Sequence, residues 1–566
     1  MKAKKTLALL VACVLIASLA VVGCASESAG GVPEEYYELT LLWGNDPAKY
    51  EEYRDVNSYR QYLKDHFNFG YNLVMVPGDM KEKLTLMLAG GDYPDIVSFQ
   101  YTDIFKAYVE AGALLEFGPL MEQYAPNTRE RCANFIPYWK AMSGMDDGKI
   151  WGYTGFYPYY AAGVSSQWNE WIIRSDILEQ QGYPVIKDEN DLYEVLAKGL
   201  TDNPKTGDFD TVGFAQPLAS WGTNGLQCIT YSYNLGRLSH DTFRYGMVYD
   251  YGQSKFIDVT SDYSYKDGLA FINKLWNSGL YDRDAVTDDY NAYSEKMSQG
   301  RVLSGFFYIW DMYNWNVALA AAGKDYRYVP IPFMLASQKA HGERKVYPEP
   351  APNVWCSFGI TKNAKYPERI MEVINWQHSE EGMIFSGWGE EGVNYTVENG
   401  LRVPTESFLK NIQDPDNPDF GFTFGGIPDF GGFNGIDANG QSYYIYNDAD
   451  LAMKDQDPKI LEIFQKYGFN NYFELYNNNP NFGYAIEGTI DLKTTMALTD
   501  DQAKAWEKID AATHDYTMKL ITAPSEEAFN AIFAEMQARR NELGQQELIA
   551  QWNKEYPEKK AALGIE

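Results

Sequence analysis

An alternation of period constrains this chain more than any other feature. Between residues 37 and 100, β-like apolar spacing gives way to helical spacing and returns, twice over. "YELTLLW" (37–43) is β-rich and runs into the loop Gly44-Asn45-Asp46-Pro47. "NSYRQYLKDHFN" (57–68) has helical spacing, with Asn57 placed to cap it. "YNLVMVPG" (71–78) reads as a second strand. A helix is predicted from about Met80, closed by Gly90-Gly91 and followed by the strand "DIVSF" (95–99). Strand, helix, strand, helix, strand predicts parallel βαβ units and an α/β lobe. At 566 residues the chain exceeds what one compact core serves, so two large lobes are expected.

The start of the chain carries a different signal. Lys2, Lys4 and Lys5 precede an uncharged run over residues 6–23, the pattern of a secretory signal. That run is also just long enough to span a bilayer, so a retained anchor is the competing reading. Val21-Val22-Gly23-Cys24 resembles the lipobox of bacterial lipoproteins, in which the signal is cut before a cysteine whose sulfur is lipidated. The resemblance implies a signal over 1–23, lipidation of Cys24 and a flexible spacer over 24–36. The acyl chain would tether the protein at about 0.8 kcal/mol per buried methylene.

Charge and cysteine usage exclude several classes. Formal net charge is −30, and −33 without the three signal lysines. Such a chain does not suit nucleic acid or a broad contact with anionic lipid, and acidity keeps an exported protein soluble. Cys132, Cys228 and Cys356 remain beside Cys13 and Cys24, with no CxxC spacing. They are expected as buried free thiols, with one bridge at most, and not as a disulfide scaffold or zinc site.

Catalytic signatures are missing. The five histidines (His66, His240, His341, His378 and His514) are scattered, with no HExxH and no GxSxG. "GGIPDFGGFNG" (425–435) lacks the GK[ST] that holds phosphate. Carboxylates are too numerous in so acidic a chain to argue for a glycosidase.

Aromatic residues argue for binding. The chain holds 44 Tyr, 14 Trp and 29 Phe, and many lie in loop-like contexts: "LLWGNDP", "YTGFYPYY", "ASWGTNG", "FFYIWDMYNWN". Loop aromatics are costly to expose unless something covers them. Pyranose rings do so, stacking their C–H faces while their hydroxyls pair with nearby Asn, Asp and Arg.

Five segments carry a family resemblance in order: "KLTLMLAGGDYPDIVSF", "WIIRSDILEQQGYPVIKDENDLYEVLAKGL", "KMSQGRVLSGFFYIW", "VWCSFGITKNAKYPERIMEVINWQHSEEG" and "GWGEEGVNYTVENGL". Together they resemble the extracellular solute-binding proteins of ATP-binding cassette (ABC) sugar importers, the longer lipoprotein type in particular. The resemblance implies a two-lobe α/β periplasmic-binding-protein fold of type II, joined by a hinge of more than one crossing strand, with the ligand in the cleft between. Lobe one is expected over 37–163 and 327–386, and lobe two over 164–326 and 387–566. The end of the chain, 499–556, reads as two or three amphipathic helices capped at Thr499 and Ser525 that pack on a lobe.

The implied function is a lipid-anchored receptor, facing outside the cell membrane as a monomer, that captures an oligosaccharide and delivers it to the permease subunits of an ABC transporter. Candidate ligand contacts are Trp43, Asn45, Asp46, Gln100, Tyr101, Trp221, Trp310, Asp311, Trp355 and Trp388. Trp168, Trp171 and Trp376 read as core, and Arg174 as a structural ion-pair residue. No cofactor is expected. "TDNPKTGDFDTVGF" offers Asp202, Asn203, Asp208 and Asp210 as calcium-type oxygens, but Pro204 and Lys205 interrupt it and the terminal Glu is missing, so a solvated turn is preferred. "NGIDANGQ" (434–441) is weaker still. The competing functions are an exported glycosidase or lyase, and a surface glycan sensor without a permease.

Overall fold

A computed structural model describes residues 35–42, 55–74, 80–99, 102–141, 147–154, 169–218, 246–250, 253–331, 334–341, 345–349, 357–413, 417–419, 437–443, 457–470, 482–488 and 498–562, with Met145, Ile445 and Leu475. The first sheet is built on β1 (Tyr37–Leu42), whose Tyr37, Leu39 and Leu41 are buried and which has parallel neighbours on both sides. β2 (Phe69–Val74) flanks it on one side and β3 (Ile96–Phe99) on the other. The sheet continues through β14 (Ser357–Ile360), antiparallel to both β3 and β4 (Tyr153–Thr154).

Local chemistry explains these elements. Asn57 caps the helix Ser58–Phe67 by accepting from the Arg60 amide, and Gly91 ends the helix Met80–Gly90 at φ +70°, where a side chain would be strained. Asp95, the acid of the "PDI" stretch, accepts from the Thr40 amide (2.6 Å) and from the hydroxyls of Thr40 (2.6 Å) and Tyr37 (2.9 Å). It therefore ties β1 to the entrance of β3.

The second sheet runs β12 (Tyr328–Pro330), β5 (Asn169–Arg174), β11 (Val302–Tyr308), β8 (Val212–Ala215). β11 is parallel to β8 and antiparallel to β5. Smaller pairs are the hairpins of β6 (Lys205–Thr206) with β7 (Phe209–Asp210), of β9 (Met247–Asp250) with β10 (Lys255–Asp258), and of β15 (Tyr395–Glu398) with β16 (Leu401–Pro404). β13 (Lys345–Glu349) lies parallel to β17 (Phe482–Gly488). The first sheet's core includes Leu39, Phe117, Trp139, Phe358 and Ile374; the second's includes Trp171, Leu196, Phe214, Ile272 and Phe306.

Two expected boundaries move. Tyr328–Pro330 pairs with β5, so this segment belongs to the second lobe and not the first. Trp388, Tyr395, Phe408, Ile412 and Ile445 pack into the first core, so the described segments that carry them, 387–413 and the residues around 437–445, belong to the first lobe and not the second. A buried pair, Arg402 to Asp437 at 2.8 Å, holds these added segments together. Among the described residues the chain changes lobe between β4 and β5, between β12 and β14, and again before the helix Pro458–Lys466, whose Ile463 joins the second core.

The C-terminal helices Asp500–Ile521, Glu526–Glu542 and Gln545–Ala562 start where the caps place them. Thr499 forms a capping box with Gln502, and Ser525 accepts from the Ala528 amide. They cover Val259, Tyr265 and Leu269 of the second lobe. The last helix also meets Tyr138, the neighbour in sequence of the first-lobe core residue Trp139.

Candidate ligand site

In an open α/β sheet ligands bind beyond the carboxyl ends of the strands. In the first sheet those ends are Leu42, Phe99 and Thr154, and Ser357 starts the antiparallel β14 on the same edge, opposite Phe99 and Thr154. In the second sheet they are Ala215 and Tyr308, with Asn169 opposite Tyr308. The residues chosen from sequence adjoin these edges along the chain. Trp43 follows Leu42, Gln100 and Tyr101 follow Phe99, Trp355 stands two residues before Ser357, and Trp310 stands two after Tyr308. Trp43, Asn45, Asp46, Gln100, Tyr101, Trp221 and Trp355 themselves lie outside the described residues, as do Cys24, Trp168, Cys228 and Cys356. Trp310 is placed in the helix Ile309–Ala321 by its backbone.

Asp311 is the candidate the structure describes most fully. It lies in the first turn of that helix, just past the end of β11, and is 5% exposed. The Tyr290 hydroxyl donates to its Oδ1 at 2.5 Å. A helix N-terminus favours a carboxylate, yet burial prevails and pushes the Asp311 carboxyl up to about 6. Tyr293, one turn along from Tyr290, packs edge-on against Trp315 at 5.5 Å. Gly305 of β11 makes room for it, since a Cβ there would stand 2.6 Å from the Tyr293 hydroxyl. Gln216, buried, follows β8 directly, and its carbonyl accepts from the Tyr281 hydroxyl at 3.1 Å. The sequence reading missed Tyr290 and Gln216. Gln216 was marked, as the first polar residue after "VGFA", whereas Tyr290 reaches Asp311 across 21 residues through tertiary packing alone.

Trp388 is not at the site. It is fully buried in the first core, its Nε1 donates to the Ser442 carbonyl at 2.9 Å, and Arg402 stands over its ring at 5.0 Å. Its family-like segment is a helix end: Glu380–Trp388 stops at Gly389, φ +79°. Trp171 and Trp376 are core, as read from sequence. Arg174 is structural too, bonded to Asp176 (2.5 Å), the Gly300 carbonyl (2.7 Å) and Thr206 (3.0 Å).

The proposed calcium oxygens do not converge. Lys198 engages Asp202, Asn203 caps the helix Glu189–Asp202 and exchanges hydrogen bonds with Gln180, and Lys205 holds Asp210 at 2.6 Å. The segment folds as the tight β6–β7 hairpin with Gly207 at φ +61°. Asp437 of the weaker candidate is held by Arg402 and by the Asn439 and Gln441 amides. Among the described residues no group of three His, Cys, Asp or Glu side chains could hold a metal ion. Cys132 is a buried free thiol, as expected, and burial pushes it up to about 12.

Comparison with known proteins settles the family. The model of the bacterial extracellular solute-binding proteins matches residues 56–384, more than half of the chain. The chain belongs to that family. It is 24% identical over 262 residues to the fructooligosaccharide ABC transporter substrate-binding protein FusA of Streptococcus pneumoniae, covering 45% of each chain. To the polygalacturonan/rhamnogalacturonan-binding protein YtcQ of Bacillus subtilis it is 24% identical over 403 residues, covering 67% of this chain and 70% of YtcQ. The chain thus aligns with under half of FusA's length. Among solved structures, FusA in complex with kestose superposes with TM-score 0.62 at 15% identity over 93% of this chain and 100% of that one. The alginate-binding protein AlgQ2 without calcium does so with TM-score 0.61 at 17% identity over 94% and 99%. The fold of this solute-binding protein is therefore the two-lobe α/β periplasmic-binding-protein fold.

Proposed function

We propose that this protein is a lipid-anchored extracellular receptor that captures an oligosaccharide between its lobes and presents it to an ABC permease. One observation carries the reading: the chain alternates between the two sheets of a solute-binding fold, and the sequence that follows the strand ends of each is rich in aromatic residues. Trp43, Trp221, Trp310 and Trp355 are proposed to stack on sugar rings, with Asn45, Asp46, Gln100, Tyr101 and Asp311 pairing with hydroxyls. Support for a carbohydrate comes from FusA and YtcQ, whose names place fructooligosaccharide and pectic polymers as their ligands. A binding role and not catalysis agrees with the family. The lipid anchor at Cys24 draws support from a second relative, the lipoprotein LipO of Bacillus subtilis, 21% identical over 335 residues and covering 62% of it. The monomeric state is proposed on the same footing.

The test is calorimetric titration of the mature protein against a panel of oligosaccharides, with chromatography of the recovered ligand. Saturable binding with intact ligand is expected. Cleaved product would place the protein among exported glycan-active enzymes, and a panel without any binder would end the carbohydrate reading.

A further inference from the structure

We propose that Asp311 is the acceptor through which the second lobe reads ligand hydroxyls, and that it selects a neutral oligosaccharide over one bearing uronates. This inference rests on the carbohydrate reading and names the class of sugar within it.

The position of Asp311 is the first argument. Its side chain is almost wholly buried, yet it stands beyond the carboxyl end of β11, on the edge where Ala215, Gln216 and Asn169 also lie. Its partner is equally telling. Oδ1 accepts from Tyr290, and among the described residues no ion pair engages the carboxylate. Nearby cations of the second lobe are held elsewhere: Arg174 by Asp176, Arg327 by Asp457, and Lys296 by Asp282 and Asp288 at 2.7 Å each. The groups facing Asp311 from the helix Tyr290–Ser298 are the hydroxyls of Tyr290 and Tyr293. A buried acid without a cation is costly to the empty protein, and its remaining acceptor capacity is met by a donor that arrives with the ligand.

Sugar hydroxyls are such donors. A uronate would instead place a second carboxylate beside the first where water is scarce, and like charges at close range repel strongly there. The net charge of −30 acts in the same direction at longer range. Because burial lifts the Asp311 proton equilibrium to about 6, the acceptor is charged at pH 7.5 and largely neutralised at pH 5. Neutral-sugar affinity should therefore fall on acidification. The alternative is that Asp311 only fixes Tyr290, in which case ligand affinity would not follow its charge.

The test titrates the mature protein with kestose, maltotriose and trigalacturonate between pH 5 and 7.5. For a bound neutral trisaccharide, affinity should drop by up to about tenfold from pH 7.5 to 5, the limit set by neutralising a group that titrates near 6. Asp311→Asn keeps an acceptor for Tyr290. It should weaken neutral binding about tenfold at pH 7.5, flatten the pH profile, and raise rather than lower the melting temperature of the empty protein. Tyr290→Phe removes a bond that favours the charged form, so it should keep affinity at pH 7.5 and move the affinity drop to higher pH. Tighter binding of trigalacturonate at pH 7.5 would overturn the neutral-sugar inference. Neutral binding indifferent to pH and to Asp311→Asn would overturn the role of Asp311 while leaving the receptor intact. If no oligosaccharide binds, the carbohydrate reading falls and the inference with it.

Discussion

Asp311 and Trp388 were both read from sequence as ligand contacts, and the structure separates them by what surrounds them. Trp388 meets only protein: the Ser442 carbonyl, the Arg402 guanidinium and the Tyr395 ring at 6.2 Å. Trp388→Ala should cost about 3–5 kcal/mol, the usual range for emptying a large buried aromatic site. Denaturant unfolding would show it, with ligand affinity per folded molecule unchanged; a selective loss of affinity would return Trp388 to the site. Asp311 has the opposite profile. Its folded value of about 6 lies above the ordinary aspartate value of about 4, so the folded state binds the extra proton between these values. Stability is therefore lower above pH 6 and recovers as pH falls toward 4. Asp311→Asn should exceed the parent by about 2–3 kcal/mol above pH 6.5, with the gap closing near pH 4. Comparing the two proteins also cancels His378, which acts in the opposite sense: buried and lowered to about 4, it stabilises above pH 6.5 and its contribution is lost on acidification.

At the scale of elements, the C-terminal helices show how a solvent-facing sequence pattern becomes a tertiary brace. Arg540, 1% exposed, donates to the Thr513 hydroxyl (2.6 Å), the Gly246 carbonyl (3.0 Å) and Asp258 (3.2 Å). One side chain thus joins two C-terminal helices to both strands of the β9–β10 hairpin at its open end. Arg540→Met would leave Asp258 without its buried cation, and breaking such a pair by removing one partner costs about 3–5 kcal/mol. The expected result is a lower unfolding midpoint together with faster amide exchange across Met247–Asp250 and Lys255–Asp258. Unchanged exchange there would show that the hairpin stands without the brace. Helix positions themselves were legible, because Asn57, Thr499 and Ser525 satisfy amides within three residues of themselves. What each helix covers was not, since Leu269 and Phe533 meet across more than 260 residues.

The molecule has the two-lobe fold of its family, and the proposed function requires the lobes to close on a ligand. Ligand touching both lobes favours the closed form and stabilises it as RT ln(1 + [L]/Kd), about 2.7 kcal/mol at a hundredfold excess. Solution scattering should record a smaller radius of gyration on binding, together with a higher melting temperature. Tight binding without compaction would leave a binding protein whose lobes do not move. The contact between Tyr138 and the last C-terminal helix lies on this path, because it links a first-lobe helix to the second-lobe assembly. At the membrane, Cys24→Ala should release an otherwise folded protein into the soluble fraction. Retention at the membrane with unprocessed mass would show that residues 6–23 stay as a span.

The sequence by itself determined the elements and their order. Caps, glycine turns and apolar period act within a few residues, so the βαβ alternation, the "PDI" entrance to β3 and the α/β class could all be read along the chain. Composition likewise argued against nucleic acid as a partner, since net charge needs no fold. Only the tertiary structure decided which lobe each segment joins and which aromatic residues face inward. Tyr328–Pro330 went to the second sheet, and Trp388, Tyr395, Phe408, Ile412 and Ile445 to the first core, because burial against distant strands outweighs any local signal. Trp388 and Asp311 were both candidate contacts in sequence, each within a family-like segment. Packing buried one among hydrophobic partners and left the other as a buried acid at the strand ends, held by the Tyr290 hydroxyl and by no ion pair among the described residues. The reason is physical: hydrogen bonds that cap a helix are local, whereas desolvation depends on everything that folds around a residue.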